Sequence, residues 1–174
     1  APMKNARVAG QVTVPQDVRP TRINHLAWVE RRRFTHRPRT YPDFYDGPFP
    51  FVKTGDVARS GMYLTEFKQM LSDLGAGVSR EFPAGTLVMT IAANVGDASI
   101  LDFASYFPDS VVGLLVRDDV IVEYLYYLIL AMREPLVRNA SVNTQLNLNE
   151  EQIGSLPTVC PPPNEQLRIV AHLD

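Results

Sequence analysis

The clearest pattern of apolar segments divided by a polar turn lies in the middle of the chain. Residues 86–92 (TLVMTIA) are apolar and β-branched, Asn94-Val-Gly-Asp97 is a turn sequence, and residues 98–101 return apolar, which together predict a β-hairpin. Residues 110–116 predict a further strand. Beyond Asp118 and Asp119, either of which suits a helix N-cap, apolar residues recur at helical spacing to Met132. Tyr124, Tyr127, Leu128 and Ala131 are expected on the inward face, and Pro135 is expected to end or kink the helix. Earlier, residues 23–29 fit a first strand, and Phe49 to Val52 is a short apolar run closed by a Thr54-Gly-Asp56 turn. Phe67, Met70, Leu71 and Leu74 fall at helical spacing and predict a short helix within residues 65–82. Towards the end, Asn149 suits the cap of a turn over residues 150–154, and residues 156–160 read as a strand. Pro161 to Pro163 form a stiff spacer, and from Asn164 a last helix places Leu167, Val170 and Leu173 on one side.

Two stretches carry little apolar pattern. Residues 1–22, with Pro2, Pro15 and Pro20, are expected to be a loosely ordered lead-in. Residues 31–46 are polar and basic, and Pro38 and Pro42 exclude a helix there, leaving a long loop. The chain thus divides into a lead-in at 1–22, a folded domain at 23–160 and the start of a helix at 161–174.

At 174 residues, with 45% hydrophobic and 21% charged side chains, one ordinary folded domain is expected, neither disordered nor a rod. The longest apolar run, Val120 to Met132, contains Glu123 and is too short to span a bilayer. The net charge of −2 conceals an asymmetry. Residues 1–40 carry nine Lys or Arg against Asp17 and Glu30, whereas residues 41–174 carry eight bases against seventeen acids. An acidic total therefore does not exclude a nucleic-acid partner. Fourteen of the seventeen basic residues are Arg, whose guanidinium fork suits phosphates and guanine edges.

Catalytic signals are weak. His25, His36 and His172 are scattered without ligand spacing, and glycine-rich phosphate loops, a nucleophile elbow and an Asn-Pro-Pro-Tyr type motif are all missing. Neither an autonomous enzyme nor a metal site is expected. The single Cys160 makes no internal disulfide and suits a reducing cytoplasm, as a small residue near a strand end. Two local features remain. The arginines of residues 31–39 form either a solvated surface loop or one that tracks phosphates. The amides of residues 143–149 either satisfy turn backbone or pair with adenine edges.

A larger pattern bears on both. The segments Gly47-Pro-Phe-Pro-Phe-Val-Lys-Thr-Gly-Asp-Val57, Pro83-Ala-Gly-Thr-Leu-Val-Met-Thr-Ile-Ala-Ala-Asn-Val-Gly-Asp97, Phe107-Pro-Asp-Ser-Val-Val-Gly113 and Asn143-Thr-Gln-Leu-Asn-Leu148 occur in order. Leu156-Pro and Pro161-Pro-Pro-Asn-Glu-Gln-Leu-Arg-Ile-Val-Ala171 follow. From about Leu26 onward this series resembles a target recognition domain of a type I restriction-modification specificity subunit. The resemblance implies an α+β fold, a mixed sheet with short helices followed by the start of a long coiled-coil helix. It implies a non-enzymatic reader of double-stranded DNA in bacterial defence. Methyltransferase subunits, a motor-nuclease subunit and a second recognition domain or second copy would be its partners. S-adenosylmethionine, ATP and magnesium would belong to those partners, with no membrane involved. On this reading Arg31, Arg33, Arg37, Arg39, Lys53, Thr54, Arg59, Ser60, Asn94, Asn143, Thr144, Gln145 and Asn147 are the expected DNA contacts. Glu165, Gln166, Ile169 and Val170 are the expected partner contacts, and Asp56 and Asp97 are expected to be structural. A recognition module of a fused methyltransferase or restriction enzyme, or a half-subunit that contacts only protein, are the alternatives.

Overall fold

The computed structural model describes residues 6–8, 12–14, 18–31, 41–92, 94–142 and 148–174. β1 (Ala6–Val8) and β2 (Val12–Val14) pair antiparallel. β3 (Arg19–Arg22) leads into a single helical turn, α1 (Ile23–Leu26), and then β4 (Ala27–Glu30). Residues 23–29 are therefore not one strand: Ile23 and Leu26, three apart, bury side by side on the face of a helical turn. Nor does the fold wait for Ile23. Arg19 pairs with Cys160 and Arg22 with Pro157 in an antiparallel ladder, so the backbone groups of β3 are met by the far end of the chain.

After a 3-10 turn at Pro42–Phe44 come β5 (Tyr45–Phe51), α2 (Thr54–Arg59), β6 (Tyr63–Leu64), β7 (Gln69–Leu71) and α3 (Asp73–Gly77). The helix expected within residues 65–82 is replaced by β7 and the short α3. Its apolar residues serve different sites: Phe67 packs on Phe103, Leu71 is buried with Phe44 and Phe51, and Leu74 is 51% exposed. Their spacing thus did not mark one buried helix face.

β8 (Leu87–Thr90) and β9 (Ala98–Leu101) form the predicted hairpin, and β10 (Val111–Val116) lies beside β8. The central sheet runs in the order β4-β10-β8-β9-β6, antiparallel except for the parallel pairing of β6 with β9. Leu87 and Met89 of β8 join the larger core, and the intervening Val88 joins a second core with Val52, Phe82 and Phe107 on the other face. A strand covered on both faces needs apolar residues on each, which explains why Leu87, Val88 and Met89 follow one another without alternation. Gly113 of β10 lies against the stacked Phe82 and Phe107 rings, whose centroids are 4.2 Å apart. A Cβ there would stand 2.8 Å from a Phe82 ring carbon and 3.1 Å from Phe107. Gly113→Ala is expected to lower the unfolding free energy by about 1–3 kcal/mol through overpacking. An unchanged urea midpoint would show that the ring pair gives way freely.

The remaining elements are α4 (Val122–Ala131), α5 (Arg133–Val142), α6 (Glu150–Gly154), β11 (Pro157–Cys160) and α7 (Pro163–Leu173). The buried face of α4 is Tyr124, Leu125 and Ile129, whereas Tyr127 is half-buried and Ala131 exposed, a rotation from the expected face. Neither Asp118 nor Asp119 caps α4; the N-cap is Ile121, whose N–H donates to the Gln166 side chain at 2.8 Å. Pro135 falls in the first turn of α5, where amides lack intrahelical acceptors, so a second helix tolerates it. Asn149 caps α6 as expected, accepting from Gln152 N–H at 2.8 Å while Gln152 Oε1 accepts from Asn149 N–H at 2.9 Å. On α7 only Val170 of the expected stripe is buried; Leu167 and Leu173 are exposed by 55% and 52%.

Candidate nucleic-acid interface

One concavity is built by β5, α2 and β7. β5 and β7 pair antiparallel, but Leu71 opposes both Tyr45 and Phe49, so residues 46–48 bulge out of the ladder. Asp46 there adopts a left-handed φ of 61°, a conformation Asp tolerates better than most residues. Gly47 passes so close to β7 that a Cβ would lie 2.4 Å from Ser72 Cα. After β5, the nearly buried Asp56 carboxylate accepts the Lys53 N–H at 2.9 Å and an Arg59 guanidinium N–H at 2.6 Å. Those bonds close residues 54–59 into a helix where the sequence predicted a turn, and they give Asp56 its expected structural role.

Between bulge, α2 and β7 lies a groove of about 720 Å³, lined among others by Lys53, Thr54, Arg59, Lys68, Gln69 and Asp46. A recess of about 240 Å³ adjoins it, sharing Arg59 and Lys68 and adding Ser60, Tyr63 and Glu66. Among the described residues Lys53 and Lys68 have no ion-pair partner, whereas Arg59 is held by Asp56. Asp46 and Glu66 add acidic points, so the walls mix signs. Tyr63 donates to the Glu123 carboxylate, and that bond pushes its phenol up to about 12.

The structure thus gathers Lys53, Thr54 and Arg59 in the groove and places Ser60 in the recess, where its hydroxyl donates to the Asp56 carbonyl at 2.8 Å. Asn94 is exposed at the tip of the β8–β9 hairpin, its carbonyl accepting from Thr90 Oγ1, and does not line the groove. Arg31 is anchored elsewhere: its Nε donates to the Asp109 carbonyl at 2.7 Å and its N–H to Glu150 at 2.8 Å. Arg33, Arg37, Arg39, Asn143, Thr144, Gln145 and Asn147 lie outside the described residues. Asp97 pairs with Arg133 at 2.8 Å beside Gly96, as its expected structural role requires.

Two of the four expected partner contacts are corrected. Gln166 is fully buried; its amide nitrogen donates to the carbonyls of Asp119 at 3.0 Å and Pro161 at 2.9 Å while its oxygen takes the Ile121 N–H. Val170 is buried in the main core. Both fasten α7 to the domain and offer no surface. Ile169 is half-buried against the same core, and Glu165 remains at the surface, paired with Arg168 at 2.8 Å. Cys160, half-buried at the end of β11, has its thiol pushed up by burial and then by Asp119. Sequence reasoning misses Lys68 and Gln69, because the apolar spacing predicts a short helix within residues 65–82; the β5–β7 pairing brings them opposite α2.

Among the described residues no helix is long and apolar enough to cross a membrane. The chain is similar in fold to an HsdS subunit from Thermoanaerobacter tengcongensis (TM-score 0.73, 18% identity, 95% of this chain and 38% of that one). It is also similar to a chain from structures of type I R-M system complex assembly and conformational transition (TM-score 0.70, 18% identity, 96% and 40%). The type I restriction-modification S subunit from M. genitalium matches with a TM-score of 0.59 at 12% identity, over 97% of this chain and 40% of that one. The chain therefore spans about two fifths of the length of these neighbours. Residues 22–174 match the family described as type I restriction modification DNA specificity domain, and this chain belongs to that family.

Proposed function

We propose that this chain is a sequence-specific reader of double-stranded DNA within a type I specificity subunit, directing adenine methylation and restriction carried out by other subunits in the cytoplasm. The observation that carries the reading is family membership over residues 22–174, and the groove supplies chemistry consistent with it. Lys53, Lys68 and Arg59 are cations suited to phosphates, and Gln69, Thr54 and Asp46 are polar groups suited to base edges. In this reading the exposed part of α7 leads towards methyltransferase subunits, a motor-nuclease subunit and a second recognition domain or second copy. S-adenosylmethionine, ATP and magnesium act in those partners. Arg33, Arg37 and Arg39 and the amides at residues 143–147 supply further contacts.

The test is binding of the chain to randomised duplexes over a range of salt. Affinity is expected to fall linearly on logarithmic axes as phosphate-bound counterions are released, and selection is expected to enrich one sequence. Affinity indifferent to salt, with no sequence enriched, would sink the proposal in favour of a protein-contact role.

A further inference from the structure

Among the described residues, three side-chain polar atoms are closed off from solvent and lack a hydrogen-bond partner: Gln69 Oε1, Arg117 Nε and Thr158 Oγ1. Arg117 is otherwise engaged, stacking on the Trp28 ring at 4.2 Å and donating from Nη2 to the Asn24 carbonyl at 2.9 Å. Thr158 sits inside the β3–β11 ladder opposite Thr21. Gln69 alone of the three lines the groove beside α2.

We infer that Gln69 is a specificity-determining residue that reads an adenine edge in the DNA major groove. The inference deepens the DNA-reading proposal and rests on it. Gln69 stands on a strand, not a loop: its backbone pairs with Phe51 across the β5–β7 ladder, so the side chain starts from a fixed point. The fold gives its amide oxygen no donor, so turning the amide towards the groove breaks no hydrogen bond at that oxygen. An amide offers one acceptor and a donor side by side. Adenine presents the complementary pair, the N6 donor and the N7 acceptor, whereas guanine presents two acceptors, cytosine one donor, and thymine an acceptor beside a methyl group. Lys53 and Lys68 on the same walls supply charge for the flanking phosphates, which fixes the distance at which the base edge is met.

The full chain and its Gln69→Leu and Gln69→Glu variants are to be selected against randomised duplexes. Each is then measured on the enriched duplex, on its single-base variants and on unrelated duplex. The unsubstituted chain is expected to prefer adenine at one position by about 10- to 100-fold. Gln69→Leu is expected to lose that preference while keeping the other positions, the affinity for unrelated duplex and the salt slope. Gln69→Glu is expected to move the preference towards cytosine, whose N4 donates to a carboxylate. If both variants keep the original preference at every position, the assignment of Gln69 is overturned and the DNA-reading proposal stands. If the unsubstituted chain enriches no sequence, the DNA-reading proposal fails and takes this one with it.

Discussion

Replacing Gln166 by leucine is expected to destabilise the domain by about 4 kcal/mol. Leucine has nearly the right volume, so the loss arises from hydrogen bonding rather than from a cavity. The amide of Gln166 satisfies the Ile121 N–H at the start of α4, the Asp119 carbonyl and the Pro161 carbonyl, at a position with no solvent access. Leucine strands one donor and two acceptors, and each unpaired buried group costs about 1–3 kcal/mol. Gln166→Glu is expected to be worse, since it removes both amide N–H donors and faces a carboxylate towards two carbonyl oxygens. Urea unfolding measures both variants. A loss below about 1 kcal/mol for leucine would mean that water takes over these bonds and that α7 is not held by this residue. Hydrogen exchange adds a local check: amides in α7 and in the first turn of α4 should lose protection together, because one side chain serves both.

The second large effect concerns DNA. Lys53→Gln combined with Lys68→Gln is expected to weaken binding to unrelated duplex by about 30-fold at 0.15 M salt and to reduce the slope of log affinity against log salt by about 2. Neither lysine has an ion-pair partner among the described residues, so removing their charges leaves no buried acid uncompensated. Arg59 is deliberately spared: without its guanidinium the Asp56 carboxylate, 5% exposed, would lose its charge partner, and a folding defect would be confused with a binding defect. An unchanged salt slope in the double variant, with unchanged stability, would show that DNA does not pass over this groove. It would then direct attention to the arginines of residues 31–39.

The sequence by itself determined those parts of the protein whose signals are local. The β8–β9 hairpin follows from a β-branched run, a turn and a second run; α6 follows from Asn149 facing Gln152 three residues on; β10 and β11 follow from short apolar segments. The ordered series of segments was enough for the family, and the family for the expected role. Asp56 and Asp97 read as structural from their glycine neighbours, and each bonds nearby backbone or a cation: Asp56 holds the Lys53 N–H and Arg59 at the start of α2, and Asp97 pairs with Arg133.

Tertiary structure decided whatever depends on groups distant in sequence. Periodicity could not show that Phe67, Leu71 and Leu74 belong to two separate packing sites and to solvent, so β7 passed for a helix and Lys68 and Gln69 went unnoticed. Arg31, counted among the loop cations, is tied to Asp109 and Glu150, both remote in the chain. Gln166 reads from the sequence as a surface residue at a helix start, but the Ile121 N–H at the start of α4 lies against it. Local pattern reports which backbone conformation a segment favours. Where a polar side chain finds its partner is set by which elements meet, and that arises only once the sheet has closed over both of its cores.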